Sequence, residues 1–339
     1  MRIPYRTRQV LKRWAIALLV IAVTALLLMA FGLLWLGRHV VYTDNGIRFD
    51  FSKTSMDIVG QQAVPPAPQE TVSIYYNEGD NVITTNTELT TISGYYISSD
   101  ELEGDLTELQ EQINQIPTGS AVMIEVKNAF GEFNYSTSAS TYRNSSVDQK
   151  KVDDLIKKLN RSNMYTIAKV TAFQDYHYGL NNVDEGLFST GGAYLWRDDM
   201  GCYWLSPTSQ KYQSYLVQIA TELRGLGFDE VVFDQFLFPD STKYRFSGEK
   251  QEALSQAADK LIDTCATSSF AVSFVSTEYF QLPEGRSRLY LRDVEPADLG
   301  KVSSTVAVPD NTINLVFLTA YHDTRYDAYS VLRPITAMR

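Results

Sequence analysis

The strongest chemical signal in the sequence is an acid inside an apolar run. The segment Gly227–Pro239 reads GFDEVVFDQFLFP, and Asp234 interrupts its Val, Phe and Leu residues. An ionised carboxylate in an apolar setting must be paired with a cation, neutralised, or used on a ligand. Two interpretations follow: Asp234 does chemistry on a ligand, or it forms a buried ion pair with Lys127 or Lys169.

Strand-like and helix-like runs alternate along the last three quarters of the chain, on both sides of this acid. Strand-like runs cover 92–98, 121–127, 164–173, 229–238, 270–276, 302–308 and 313–320, and helix-like runs cover 99–116, 147–159, 210–226 and 250–266. This alternation predicts βα units and a parallel sheet. We predict an eight-stranded βα (TIM) barrel over 83–339, irregular in its last third because no clear helix separates the strands across 277–301. A doubly wound open sheet is the alternative, but no glycine-rich phosphate loop follows the first strand.

In a βα barrel, residues at the C-terminal ends of the strands face the mouth, where catalysis takes place. Asp234 lies in the second half of its predicted strand. If it points into the barrel, alternation turns Val232 and Phe236 inward and Phe233 and Gln235 outward.

An uncharged stretch near the N-terminus has the length of a membrane span. The run 14–36 holds 23 residues without a charge, and about 20 apolar residues cross a bilayer as a helix. The basic residues of 1–13 predict a cytoplasmic N-terminus, with the barrel outside the cytoplasm. No small-residue cleavage pattern follows, so we predict an uncleaved signal anchor and an extracytoplasmic stalk over 37–82, proline-rich near its end.

Composition excludes several classes of function. The first 38 residues hold six of the 30 Lys and Arg residues and no acid, so the remainder has 24 bases against 40 acids, a net charge of −16. That charge argues against a nucleic-acid partner. Two cysteines do not form a disulfide framework, and with only three histidines beside them we expect no structural zinc site and no metal or organic cofactor.

Five segments in order resemble one family of glycoside hydrolases with a βα-barrel fold, whose signature reads roughly G-F-D-E-I-Q-F-D-Y-I-R-F-P. The matching segments are GFDEVVFDQFLFP at 227–239, WRDDMGCYWLSP at 196–207, IAKVTAFQD at 167–175, IEVKNAFG at 124–131 and GYYI at 94–97. The resemblance implies a barrel that binds or cleaves carbohydrate, with Asp234 in the catalytic position. Gln235, Leu237 and Asn128 stand where the family usually has Tyr, Arg and Asp.

Cleavage of a glycosidic bond needs two carboxyl groups, one to protonate the leaving oxygen and one to attack or to activate water. Glu278 is the first candidate partner for Asp234, and an ordinary loop acid is the alternative. Asp175 is the second candidate, and a helix or turn cap is its alternative. Glu125 lies too deep in its predicted strand to act at the mouth, and its position two residues from Lys127 favours a structural pair.

The candidate substrate contacts are Lys127, His177, Trp196, Trp204, Tyr321 and His322. The two tryptophans on one loop suit a saccharide platform, but aromatic residues also anchor long loops. The two histidines lie in tyrosine-rich segments, where they can hydrogen-bond sugar hydroxyls, hold an acid in position, or simply lie at the surface.

Three hypotheses remain at this point. The first is a membrane-anchored glycoside hydrolase that acts on cell-envelope or extracellular polysaccharide. The second is a catalytically inactive barrel that binds glycan or organises an envelope complex. The third is an extracytoplasmic sensor or scaffold that does not bind sugar, in which a salt bridge holds Asp234.

Overall fold

The computed structural model describes residues 40–43, 46–49, 88–192, 194–275 and 282–338. The predicted basic head, membrane anchor and most of the stalk lie outside these residues, and so does Glu278. Within the described ranges, no helix has the length and apolar character needed to cross a bilayer. A small antiparallel hairpin of β1 (Val40–Thr43) and β2 (Gly46–Phe49) belongs to one compact unit, Met1–Asn81, and the barrel belongs to another, Val82–Arg339.

Eight parallel strands close into a barrel, as the alternating pattern predicts. In chain order they are β3 (Ser93–Ile97), β4 (Ala121–Lys127), β5 (Tyr165–Thr171), β7 (Glu230–Asp234), β9 (Ala271–Val275), β10 (Leu289–Arg292), β11 (Leu315–Leu318) and β12 (Ser330–Pro334). Each strand pairs with the next, and β12 pairs with β3 to complete the ring. The short strands β6 (Phe188–Ser189) and β8 (Tyr244–Arg245) form a separate two-stranded sheet.

Helices connect the strands and cover the barrel. They are α1 (Ser99–Glu103), α2 (Leu106–Asn114), α3 (Gln149–Arg161), α4 (Tyr176–Asn181), α5 (Gln210–Gly225), α6 (Lys250–Cys265), α7 (Leu299–Thr305) and α8 (Asn311–Asn314). Helix α3 shows why such segments fold this way. Asp148 caps its N-terminus, and its buried residues Val152, Leu155, Ile156 and Leu159 recur at three- and four-residue spacing on one face.

The last third of the barrel differs from the sequence-based prediction. The predicted strand at 302–308 is wrong, because Leu299–Thr305 is the helix α7. Leu299 and Val302 are buried three residues apart on one side of this helix, and their burial outweighs the β-propensity of the segment. Strands β10 and β12 were not predicted.

The barrel interior is filled in layers below its mouth. In the lowest layer, the carboxylate of Glu230 accepts hydrogen bonds from Arg288 at 2.5 Å and from the hydroxyls of Tyr165 and Tyr290, each at 2.9 Å. An apolar layer of side chains from the surrounding strands lies in the same interior: Met123, Ile167, Val232, Val275, Val316 and Leu332. The mouth of the barrel therefore lies above a packed core.

Candidate active site

Asp234 is the last residue of β7, and its side chain is 6% exposed. Its Oδ2 atom lies 3.2 Å from Nζ of Lys169 and accepts a hydrogen bond of 2.7 Å from Nη2 of Arg292. Its Oδ1 atom accepts the backbone N–H of Gln235 at 2.8 Å. The ion pair considered from the sequence is therefore present with Lys169, and Arg292 is an additional partner.

A second carboxylate shares the same lysine. Nζ of Lys169 lies 3.1 Å from Oε1 of Glu125, whose Oε2 accepts the backbone N–H of Ser99 at 3.0 Å. The Glu125 and Asp234 oxygens are therefore at most about 6.3 Å apart, the sum of the 3.1 and 3.2 Å contacts. We call Glu125, Lys169, Asp234 and Arg292 the mouth network; its formal charges cancel.

Strand register brings this network together. Glu125 of β4 is the cross-strand partner of Lys169 of β5, and β5 pairs in turn with β7. The predicted pair of Glu125 with Lys127 is wrong. The register shifts between these two residues, and Lys127 contacts Asp175 instead.

Backbone strain is concentrated at the same place. Among the residues that the structure describes, the non-glycine residues with positive φ are Gln235 at 52° and Asp293 at 54°. Each directly follows a charged member of the mouth network, Asp234 or Arg292. Such conformations cost about 1–3 kcal/mol and gather at functional sites, where the surroundings hold them.

The turn at Gln235 also ends the alternation of β7. Val232 faces the interior, as predicted, but the prediction that Phe236 does so is wrong. Its ring packs 4.7 Å from that of Phe173 and 4.4 Å from that of Phe274, in the larger apolar cluster under the helices.

The electrostatic surroundings keep Asp234 ionised. Burial alone would raise the pKa of Asp234, but the charges of Lys169 and Arg292, with hydrogen bonds from Arg292 and Gln235, outweigh burial and lower it. Asp234 is thus suited to act as a nucleophile or to stabilise positive charge, and unsuited to donate a proton. Burial raises the pKa of Tyr96, which lies on β3 within the field of Arg292 and Lys169.

Asp175 and Lys127 form a separate, fully buried pair. Nζ of Lys127 lies 2.9 Å from Oδ2 of Asp175 and donates to the carbonyl of Thr171 at 2.8 Å. Oδ1 of Asp175 accepts the backbone N–H of Tyr178 at 2.8 Å, which caps α4. The interpretation of Asp175 as a helix cap is confirmed. The ammonium group of Lys127 is engaged in the ion pair with Asp175.

The two loop tryptophans are buried, Trp196 at 9% and Trp204 at 5% exposure. Nε1 of Trp204 donates to Oδ2 of Asp198 at 2.8 Å, and the ring of Trp196 packs 5.4 Å from that of Tyr244. These contacts fit the interpretation of both residues as loop anchors, although Trp196 also lines a surface cleft with Tyr194.

The remaining predicted contacts are dispersed. His177 stacks on Tyr142 with ring centroids 3.9 Å apart, near the Asp175–Lys127 pair. Tyr321 and His322 are exposed beyond β11. The structure therefore brings Asp234 together with none of the other predicted site residues that it describes.

Sequence reasoning considered Lys169 as a partner of Asp234, but it missed Arg292 and wrongly placed Glu125 too deep in its strand to act at the mouth. Alternation in two correctly predicted strands could have grouped Glu125 with Lys169, since both occupy inward positions beyond Met123 and Ile167. No signal pointed to Arg292, because its strand was not predicted.

Among known proteins, similarity is found in solved structures and in one family model. A search of curated proteins returns no significant match. Similar solved structures include a hypothetical protein from Ruminiclostridium thermocellum, with 22% identity, a TM-score of 0.45, and coverage of 52% of this chain and 96% of that one. Another is the glycoside hydrolase domain of PelA from Pseudomonas aeruginosa, with 12% identity, a TM-score of 0.41, and coverage of 73% of this chain and 95% of that one.

A third is a variant of the GH36 alpha-galactosidase AgaA from Geobacillus stearothermophilus, with 10% identity, a TM-score of 0.50, and coverage of 74% of this chain and 39% of that one. At such an identity this likeness concerns the fold alone.

The resemblance noted in the sequence is confirmed by a family model. Because the model described as "Putative glycosyl hydrolase domain" matches residues 94–280, more than half of the chain, this protein belongs to that family.

Proposed function

We propose that this protein is a glycoside hydrolase that cleaves its substrate at the barrel mouth, with Asp234 as the ionised carboxylate. The observation that carries the proposal is the position of Asp234. It ends β7, it is held ionised by two cations, and the strained residue Gln235 follows it. The ion pair and the catalytic role are compatible, because a nucleophile must carry its charge at the working pH.

Asp234 would attack the anomeric carbon or stabilise positive charge on the sugar, and a second carboxyl would protonate the leaving oxygen. Glu278 is the proposed proton donor, because it is three residues beyond the end of β9, the strand hydrogen-bonded to β7. Glu125 contacts the Lys169 ammonium through Oε1 and accepts the Ser99 N–H through Oε2, so both of its oxygens are engaged and it is suited to hold Lys169 in place.

Membrane attachment belongs to the same proposal. The uncharged run 14–36 and the basic residues of 1–13 support a signal anchor with a cytoplasmic N-terminus. The barrel would then act outside the cytoplasm on cell-envelope or extracellular polysaccharide. Its charge of −16, counted over the residues after 38, disfavours a polyanionic substrate.

A second candidate function is glycan binding without cleavage. It is favoured by the contacts of Asp234, since Oδ2 contacts two cations and Oδ1 accepts a backbone N–H. A carboxylate that stayed so engaged could not reach an anomeric carbon. Under this alternative, the mouth network orders the barrel end and contributes polar groups to a binding surface.

Release of new reducing ends from a panel of polysaccharides separates the two functions. Under the hydrolase proposal the full-length protein releases reducing ends from at least one member. Changing Glu278 to Gln should then slow cleavage of natural linkages by about 10²-fold or more, with a smaller effect on aryl glycosides whose leaving groups need no proton. Binding of the glycans without any release would favour the second candidate, and equal effects on both substrate types would exclude Glu278 as the acid.

Arg292 should control the pH range over which Asp234 works. Its guanidinium lowers the pKa of Asp234, so changing Arg292 to Ala should raise that pKa. Since activity requires the ionised form, the acidic limb of the kcat/KM profile should move to higher pH, whereas Arg292→Lys, which keeps the charge, should move it less. An acidic limb that is the same in wild type and both variants would show that Asp234 does not set it.

A further inference from the structure

A cleft opens at the same end of the barrel as the mouth network. It lies between the loop that follows β4 and the helix α4 that follows β5, and its cavity volume is about 370 Å³. Its lining includes Ser140, Tyr142, His177, Tyr178, Asn181 and Tyr215. That volume is within the range of roughly 300–1,000 Å³ that is usual for small-molecule sites.

The floor of this cleft is polar but electrically balanced. Asp175 lines it, and the buried ammonium of Lys127, 2.9 Å from the carboxylate, neutralises its charge. Gly131, with φ of +82°, also lines the cleft, and a Cβ at this position would collide with the Asp175 carboxylate. The loop can therefore approach the floor this closely only because residue 131 has no side chain.

The walls are aromatic rings packed in pairs, and a hydrogen bond fixes one of these rings. Nδ2 of Asn181 donates to the Tyr142 hydroxyl at 2.8 Å and to the His177 carbonyl at 2.7 Å, and the two rings stack 3.9 Å apart. On the opposite wall, the rings of Tyr178 and Tyr215 pack 4.8 Å apart. The geometry of the walls is thus set before any ligand enters, which lowers the entropy cost of binding.

We infer that this cleft is a binding subsite for a neutral sugar unit of the glycan that is cleaved at the mouth. The inference rests on the proposed function. Aromatic rings offer surfaces for the C–H faces of a sugar, and the side-chain hydroxyls and amides in the lining offer donors and acceptors for its hydroxyls. The balanced floor and the acidic remainder of the chain disfavour an anionic unit.

The test changes Tyr142 and Asn181 together to Ala, because both are exposed at the rim and Tyr142 is 37% exposed. The matched control is Leu180→Ala, an exposed residue of the same helix that does not line the cleft. Calorimetry on full-length protein measures Kd for neutral hexasaccharides: cellohexaose, maltohexaose and chitohexaose. We expect the double variant to weaken binding of at least one by about tenfold, and the control to bind as wild type does.

The inference is overturned if none of the three hexasaccharides binds, or if the double variant binds them with wild-type affinity. Calorimetry does not depend on turnover, so a failure of the hydrolase proposal would be seen separately, as absence of reducing-end release. If wild type releases reducing ends, the double variant should have a raised KM for hexasaccharides. Its kcat/KM for a monosaccharide aryl glycoside should be unchanged. Equal losses on both substrates would instead indicate general damage to the mouth and would overturn the subsite.

Discussion

Changing Asp234 to Asn is expected to lower kcat/KM for glycan hydrolysis by about 10³-fold or more. The amide matches the carboxylate in shape, but it carries no negative charge and cannot attack the anomeric carbon. The fold should survive, because Lys169 keeps Glu125 as a partner and Arg292, with 31% of its side chain exposed, can turn to water. Reducing-end release and the far-UV circular dichroism of wild type and variant provide the measurement.

The matched control for this variant is Asp240→Asn. It makes the same chemical change at an exposed residue, six positions after the end of β7. It should leave the rate unchanged. Turnover by the Asp234 variant at more than about a tenth of the wild-type rate would remove Asp234 from the reaction, since loss of a catalytic group costs far more than this. Loss of both activity and secondary structure would instead assign Asp234 a structural role.

Changing Glu230 to Gln is expected to lower the free energy of unfolding by about 3–5 kcal/mol. The change leaves the guanidinium of Arg288 without its anion, in a place where both side chains are fully buried. Tyr165 and Tyr290 also donate to this carboxylate, so several hydrogen bonds weaken together. Urea denaturation of wild type and variant gives the difference.

An exposed pair provides the control for this stability prediction. Asp154 and Lys157 lie 3.3 Å apart with both side chains largely exposed, so Asp154→Asn should change the midpoint little. If Glu230→Gln shifts the urea midpoint as little as the control does, the stability of the lowest barrel layer does not depend on the charge of Glu230. The folded variant should retain activity, because Glu230 lies at the opposite end of β7 from Asp234.

The local spacing of apolar and β-branched residues was sufficient to predict many of the helices and strands. The helical spacing of apolar residues in 147–159 and the alternating β-branched residues of 121–127 predicted elements that match α3 and β4 closely. The pattern failed where burial decides the outcome, as at 302–308, where β-branched residues form a helix. Short strands such as β10, with four residues, carry too little periodicity to be recognised.

Strand periodicity and apolar runs are local properties, so they were enough to predict an acid near the end of a buried strand in a parallel βα arrangement. The groups that contact this acid depend on the folded barrel. Arg292 is 58 positions from Asp234 and reaches it because barrel closure brings the ends of β7 and β10 to one mouth. Likewise, a register shift in β4 directs Lys127 to Asp175 and leaves Lys169 to Glu125 and Asp234. Partners of a buried charge are set by strand order and register, and neither is a property of any short segment.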